Sequence, residues 1–521
     1  MQRAIELLRS GKLVDAQRLL RDICDQRPND ANAWAWLGML HARQKNYLEA
    51  QHCIKRSTEL QPESPEAHRT LGDILAMQQK FDDAIDAYRT SLSFQPDQVE
   101  IYTNLSQCMK ELRRIPEAID AGLTALKLKP AQPLVHCNLG LLYEMLHRTD
   151  EARAHAQTAI ELNPEDIEAH KLLAVLDRRE GNHDAARQRL QQQLNSCTMA
   201  WKQALLHLEL GKTLDLLGDY PKAFRHMVNG NTLMGDNHSV TRKDTAAYRA
   251  DIDKYGRYFT PSRVKRWLAE PWPERPIQLI FLVGFPRSGT TLTEQVLESH
   301  DSVVATDELP ALADIIRNAA AITGRSFHYP EDTGHLNRAD IAALRAAYLS
   351  NIEHGLNTSI SKDAVILDKL PLNIIHLGFI ARIFPEARIL VALRDPRDVC
   401  LSCYMQTFQI NPAMAQFLDL EDTGRFYSCV MGPWQHYRTI ENLPALETRY
   451  EDIVDDLKGS AQRLLDFCNL EWNEKVLDFH ARARQRFVRT PSYQAIARPV
   501  YHTSVGKWRN YTDELQPLMK W

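Results

Sequence analysis

A period of thirty-four residues governs the first half of this chain. Pro28, Pro62, Pro96, Pro130 and Pro164 recur at that interval. Leu37, Leu71, Leu105, Leu139 and Leu173 keep the same step, each followed by a small residue: Gly38, Gly72, Ser106, Gly140 and Ala174. Ala16, Ala50, Ala84, Ala118, Ala152 and Ala186 form a third series. Small side chains at fixed offsets let two helices cross closely, and a proline between units stops one helix before the next begins. Helix pairs of this kind stack into a superhelix with a concave inner surface.

The pattern resembles the tetratricopeptide repeat (TPR). A degenerate further unit follows, with Gly211 and Ala223 keeping the offset between Gly38 and Ala50, and an insertion ahead of it. The expected architecture is α plus α/β: a TPR α-solenoid over 1–234, a helical connection and linker over 235–274, and a second domain over 275–521. The concave surface is expected to hold a protein or peptide; self-association, as in a homodimer, is the alternative use.

The second domain announces itself at Gly284-Phe-Pro-Arg-Ser-Gly-Thr-Thr291. An aliphatic run, 277–283, precedes it, and Leu292-Thr-Glu-Gln-Val-Leu-Glu follows with apolar residues at helical spacing. Strand, tight turn and helix together aim backbone N–H groups and a helix dipole at an anion. The turn is close to the loop of nucleotide triphosphatases, but Thr290 stands where that loop carries its lysine. Arg287 supplies the charge from inside the turn instead. This argues against ATP or GTP hydrolysis and for another phosphate-bearing ligand.

A second strand-to-helix junction follows at Leu393-Arg-Asp-Pro-Arg-Asp-Val-Cys-Leu-Ser402. Arg394 falls at the strand's carboxyl end, where open parallel sheets bind ligands. Pro396 suits a first helical position. Ser402 lies one to two turns further on, so a guanidinium and a hydroxyl can converge on one phosphate.

Together the two segments resemble the sulfotransferase superfamily, most of all the tyrosylprotein sulfotransferases and their repeat-fused bacterial relatives, over roughly 275–515. The resemblance implies a three-layer α/β domain with a central parallel sheet and a P-loop-like phosphosulfate loop. It implies 3′-phosphoadenosine 5′-phosphosulfate (PAPS) as donor. Arg287, Ser288, Gly289, Thr290 and Thr291 would surround the 5′-phosphosulfate, and Arg394 and Ser402 the 3′-phosphate. Glu308 matches the family's catalytic glutamate, Lys369 its catalytic lysine, and Tyr450 a nucleotide-contacting tyrosine. Ser492 and Lys507 resemble a late serine and lysine that close over the donor. The tyrosylprotein enzymes also carry arginines just after the glutamate, for acidic acceptor sites; here Glu308 is followed by Leu-Pro-Ala-Leu-Ala-Asp, and the first arginine is Arg317.

The chemistry suits these residue types. Sulfuryl transfer carries less charge than transfer of a terminal phosphate, so arginine, lysine and backbone N–H groups suffice and no metal is required. Glu308 as general base would take the acceptor's proton, which matters for a phenol of pKa about 10. Lys369 and Arg287 would neutralise charge on the sulfuryl oxygens and the departing phosphate. Cys400 and Cys403 form a C-x-x-C on a predicted helix with no second pair nearby, a poor case for metal or redox work.

A net charge of −4 gives no general case for nucleic acid or an anionic membrane. No run of about twenty apolar residues is present, so no membrane span is expected. Nine thinly spread cysteines fit reduced thiols and a cytoplasmic protein. The expected function is PAPS-dependent O-sulfation of a protein or peptide hydroxyl, tyrosine first among candidates. The rival readings are a sulfotransferase for a carbohydrate, lipid or small molecule, with the repeats recruiting a partner, and a non-catalytic TPR scaffold.

Overall fold

The computed structural model describes residues 1–270, 278–361, 363–480 and 500–520. It divides into two compact units, Met1–Glu180 and Gly181–Trp521.

The first unit is a tetratricopeptide solenoid of paired helices, among them Ala31–Arg43 with Tyr47–Leu60 and Pro65–Met77 with Phe81–Phe94. At Gly72 an added Cβ would meet the Tyr88 ring at 2.5 Å, which is why the crossing point demands a small residue. Asp30, Ser64 and Asp166, again one period or a multiple apart, cap helix N-termini through Ala33, Ala67 and Ala169 N–H. The turn inside each pair needs one left-handed residue, supplied by Lys45, Gln79, Arg113 and His147 at φ 61°, 61°, 63° and 57°. The repeat prolines do more than interrupt helices. Trp34, His68, His136 and His170, each six residues later, hydrogen-bond through their ring nitrogens to the carbonyls of Pro28, Pro62, Pro130 and Pro164.

In the second unit, Ala200–Leu216 and Tyr220–Asp236 form the degenerate helix pair, with Gly211 against Met227. The compact unit thus begins inside the stretch 1–234 that the period groups as repeats. The reason is packing: Asn231 Nδ2 donates to the Tyr404 carbonyl at 2.9 Å, and Phe224 stacks near Tyr404 and Tyr511. The helices Arg242–Tyr258 and Pro261–Leu268 follow, and they bury Ile252, Phe259, Val264 and Trp267 in the core of the domain they lead into. The linker expected around Pro271 lies outside the described residues.

Five strands make one sheet: β1 (Leu279–Gly284), β2 (Val303–Ala305), β3 (Val365–Lys369), β4 (Arg388–Leu393) and β5 (Ala445–Arg449), in the order β2-β3-β1-β4-β5. Every neighbouring pair is parallel. β1 is buried along its whole length, as a central strand covered on both faces must be. Its residues alternate between two cores. Leu279, Phe281 and Val283 join one side with Ile366, Ile389 and Val391; Ile280 and Leu282 join the other with Leu367, Leu390 and Ala392. This is a three-layer α/β domain. Among the described residues no helix is long and apolar enough to cross a membrane.

Candidate active site

Because all five strands run the same way, their carboxyl ends lie along one edge, and the residues singled out from sequence sit there. After β1 comes the turn 284–289; after β2, Glu308; at the last position of β3, Lys369; directly after β4, Arg394; directly after β5, Tyr450. The register confirms the level, pairing Leu282 with Lys369 and Gly284 with Ala392.

The turn is built under strain. Arg287 has φ 70° and Gly289 φ 102°, and the helix Thr290–Glu298 starts from Gly289 with no side-chain cap. Its first N–H groups therefore point out of the turn. Ser288, Thr290 and Thr291 are buried around them. The Ser288 hydroxyl has no hydrogen-bond partner among the described residues. A Cβ on Gly289 would meet Tyr450 Cδ2 at 3.0 Å, so glycine here lets the loop close on the tyrosine ring.

Two guanidinium groups share this corner. Arg287 Nε donates to Ser402 Oγ at 3.0 Å, and Arg394 Nη1 donates to the Arg287 carbonyl at 3.2 Å. Arg394 also lies over the Tyr450 ring, 4.7 Å from its centroid, and donates to the Ser504 carbonyl at 2.5 Å. Its Nε is buried without a hydrogen-bond partner among the described residues. Burial, and then the neighbouring Arg394, hold the Arg287 pKa below its ordinary value. Paired cations in a partly dry corner favour an anion between them. Ser402 is in place because the helix Pro396–Tyr404 starts where expected, with Asp395 accepting from Arg397 N–H.

The second cluster centres on Lys369, which is wholly buried. Its Nζ lies 2.7 Å from Glu308 Oε1 and 3.2 Å from Glu294 Oε2. Glu308 keeps 27% of its side chain exposed, whereas Glu294 keeps 1%. Asp307 and Glu308 both adopt left-handed backbone, φ 51° and 65°, at a cost of about 1–2 kcal/mol each. Burial pushes the Glu294 carboxyl up to about 7, against the pull of Lys369. Glu294 was not picked out from sequence, although a glutamate on the buried side of the loop helix, seven residues after Arg287, was a legible signal.

Lys507 is not brought to this cluster. Its ammonium is held by Asp215 Oδ2 at 2.5 Å, because a buried carboxylate needs a counter-ion. Its backbone neighbours do approach: Gly506 N and Trp508 N donate to Asp398 at 2.7 and 2.8 Å, on the Ser402 helix. Ser492 lies outside the described residues. Cys400 and Cys403 are buried and unpaired, and burial pushes the Cys400 thiol up to about 12, which leaves it unreactive.

The sequence profile of the Sulfotransferase family matches residues 278–474, and tetratricopeptide-repeat profiles match 1–51, 29–97 and 133–166. The chain carries a sulfotransferase-family domain behind tetratricopeptide repeats. Among curated relatives, an uncharacterized protein of Aquifex aeolicus is 30% identical over 60% of this chain and 40% of its own length. Protein-tyrosine sulfotransferase 1 of Danio rerio is 27% identical over 39% of this chain and 56% of its own length. This chain therefore spans well under two thirds of either relative. A crystal structure of MamA is similar at 22% identity and a TM-score of 0.31, covering 32% of this chain and 96% of that one. The sulfotransferase match takes in the loop after β1, Glu308, Lys369, Arg394, Ser402 and Tyr450, and ends before Lys507.

Proposed function

We propose that this chain is a PAPS-dependent sulfotransferase acting on a hydroxyl of a protein or peptide, with 1–234 as its repeat domain and 275–521 as its catalytic domain. The observation that carries the reading is the convergence of Arg287, Ser402 and Arg394 at the sheet's carboxyl edge, which also carries the Lys369–Glu308 pair. The residues present fit the donor. The unpartnered Ser288 hydroxyl and Arg394 Nε offer hydrogen bonds, and Gly289 lets the turn lie against the Tyr450 ring. Ser288 and the N–H groups of the turn would hold the 5′-phosphosulfate, Arg394 and Ser402 the 3′-phosphate, and Tyr450 the nucleotide; Ser492 would close over the donor, and Lys507 would do so on leaving Asp215. When bound, the donor supplies the sulfuryl group. Glu308 takes the acceptor's proton, and Lys369 and Arg287 stabilise charge on the oxygens around sulfur. No metal has a part in this scheme.

The family match and the relatives' names support sulfuryl transfer and make tyrosine the first acceptor to try. The chain departs in one respect. Arg317, the first arginine after Glu308, is 71% exposed and pairs with Asp314, so a preference for acidic acceptor sites is not carried over. That departure favours, as second reading, a carbohydrate, lipid or small-molecule acceptor with the repeats holding a partner. A reducing, cytoplasmic setting goes with nine free cysteines. The test is labelled PAPS offered with peptide, glycan and phenol acceptors. Sulfated peptide, lost in Glu308→Gln while nucleotide still binds, supports the proposal. Sulfated glycan alone moves the acceptor to the second reading, and unimpaired turnover by Glu308→Gln removes the base.

A further inference from the structure

The ion pair that ties Glu308 to Lys369 creates a difficulty for the step proposed above, and Glu294 resolves it. Lys369 is wholly buried on the last residue of β3. Its nearest carboxylate, Glu308, is the group that takes up a proton. As the acceptor oxygen bonds to sulfur, its O–H proton passes to Glu308; the bond from sulfur to the phosphate oxygen breaks, and its electron pair stays on that oxygen. Glu308 leaves the step as a neutral carboxyl. A buried ammonium whose only counter-ion has been neutralised is strongly disfavoured and tends to shed its own proton.

Glu294 stands on the other side of the same ammonium. It lies on the loop helix Thr290–Glu298, its side chain 1% exposed, with Oε2 at 3.2 Å from Lys369 Nζ. Apart from the Lys369 ammonium, neither of its oxygens has a hydrogen-bond partner among the described residues, so Lys369 is what holds this carboxylate in place. An acid so buried, with only the Lys369 ammonium near it among the described residues, is costly for folding, and core packing alone does not ask for it. Resting on the reading of Glu308 as base, we propose that Glu294 is the standing counter-ion of Lys369. It is a positioning residue that, when ionised, keeps the ammonium charged at the end of β3 while Glu308 is protonated. Burial pushes its carboxyl up to about 7, so it plays this part above that pH. Glu308, 27% exposed, can then return its proton to solvent without Lys369 moving.

The test needs no acceptor. Thermal unfolding of the full chain is measured at pH 8 for Glu294→Gln, Glu308→Gln, the double variant, and the double variant with Lys369→Met added. Each single variant keeps one counter-ion, so each shifts Tm by no more than about 3 °C, whereas the double loses about 5 °C or more beyond their sum. Adding Lys369→Met removes the stranded cation and restores most of that loss. Calorimetry with adenosine 3′,5′-bisphosphate, in buffers of different ionisation enthalpy, adds a readout that packing alone would not move. The double variant takes up close to one proton per nucleotide bound as Lys369 recharges, and the Lys369→Met version takes up none. Additive single variants, or a double variant not rescued by Lys369→Met, overturn the proposal. If no protein binds the nucleotide yet the stability coupling and rescue hold, Glu294 remains the counter-ion and it is the sulfotransferase reading that fails.

Discussion

The Lys507 ammonium and the Asp215 carboxylate meet at 2.5 Å, tying the C-terminal segment to the helix Ala200–Leu216. Tyr511 completes the contact, donating to the other Asp215 oxygen at 2.7 Å. Asp215 is 7% exposed and Lys507 30%, so the pair is partly dry. Asp215→Ala is expected to cost about 2–3 kcal/mol by stranding Lys507 and the Tyr511 hydroxyl. Hydrogen exchange should show the loosening around 504–511, next to the Ser504 carbonyl that accepts from Arg394. Unchanged protection there would mean that Asp398 alone holds the segment.

The turn 284–289 tolerates no side chain at its second glycine. Gly289 combines φ 102° with a Cβ position 3.0 Å from the Tyr450 ring. Gly289→Ala is expected to leave the sheet folded, since the change lies beyond the end of β1. It should weaken binding of adenosine 3′,5′-bisphosphate by a factor of about ten or more, equivalent to about 1.4 kcal/mol. Calorimetry beside a circular-dichroism melt separates the two effects.

Buried acids give this fold a pH signature. Burial pushes the Asp368 carboxyl up to about 7, while the Tyr348 hydroxyl donates to it at 2.5 Å. The unfolded chain releases that proton near pH 4, but the folded chain keeps it until about pH 7. The folded state therefore binds the extra proton in between, and the contribution to stability is full at low pH and is lost as pH rises toward 7. Asp368→Asn should flatten the fall of Tm between pH 5 and 7 while leaving the Tyr348 contact. A slope identical to wild type would contradict this assignment.

The repeat turns offer a gain. Gln79 sits at φ 61° in a position that Gly11 and Gly181 fill two periods before and three periods after. Gln79→Gly relieves the left-handed strain of about 1–2 kcal/mol and concedes part of it to the freer unfolded chain. A net stabilisation of about 0.5–1 kcal/mol is expected, read as a higher midpoint in urea.

Much of this was legible in the sequence because local rules and the global fold agree. The thirty-four-residue period marks every helix crossing from Gly38 to Gly140, and the two strand-to-helix turns put Arg287, Arg394 and Ser402 in reach of each other. What stayed hidden depends on long-range packing. Nothing local says that Lys507 turns toward Asp215, nearly three hundred residues away. The helices over 235–268 read as a connector because their polar residues outnumber their apolar ones, yet Ile252, Phe259, Val264 and Trp267 are core. Tyr248, Tyr255, Tyr258 and Leu268 pack against the same core.

The proposed donor site is tested most simply by calorimetric binding of adenosine 3′,5′-bisphosphate in the presence of EDTA, for wild type and Arg394→Ala. Metal-independent binding in the micromolar range, equivalent to about −8 kcal/mol, is expected, and its loss in the variant, because Arg394 links the Arg287 loop, the Tyr450 ring and the Ser504 carbonyl. A folded wild type that binds no nucleotide, or a variant that binds as well as wild type, would contradict it.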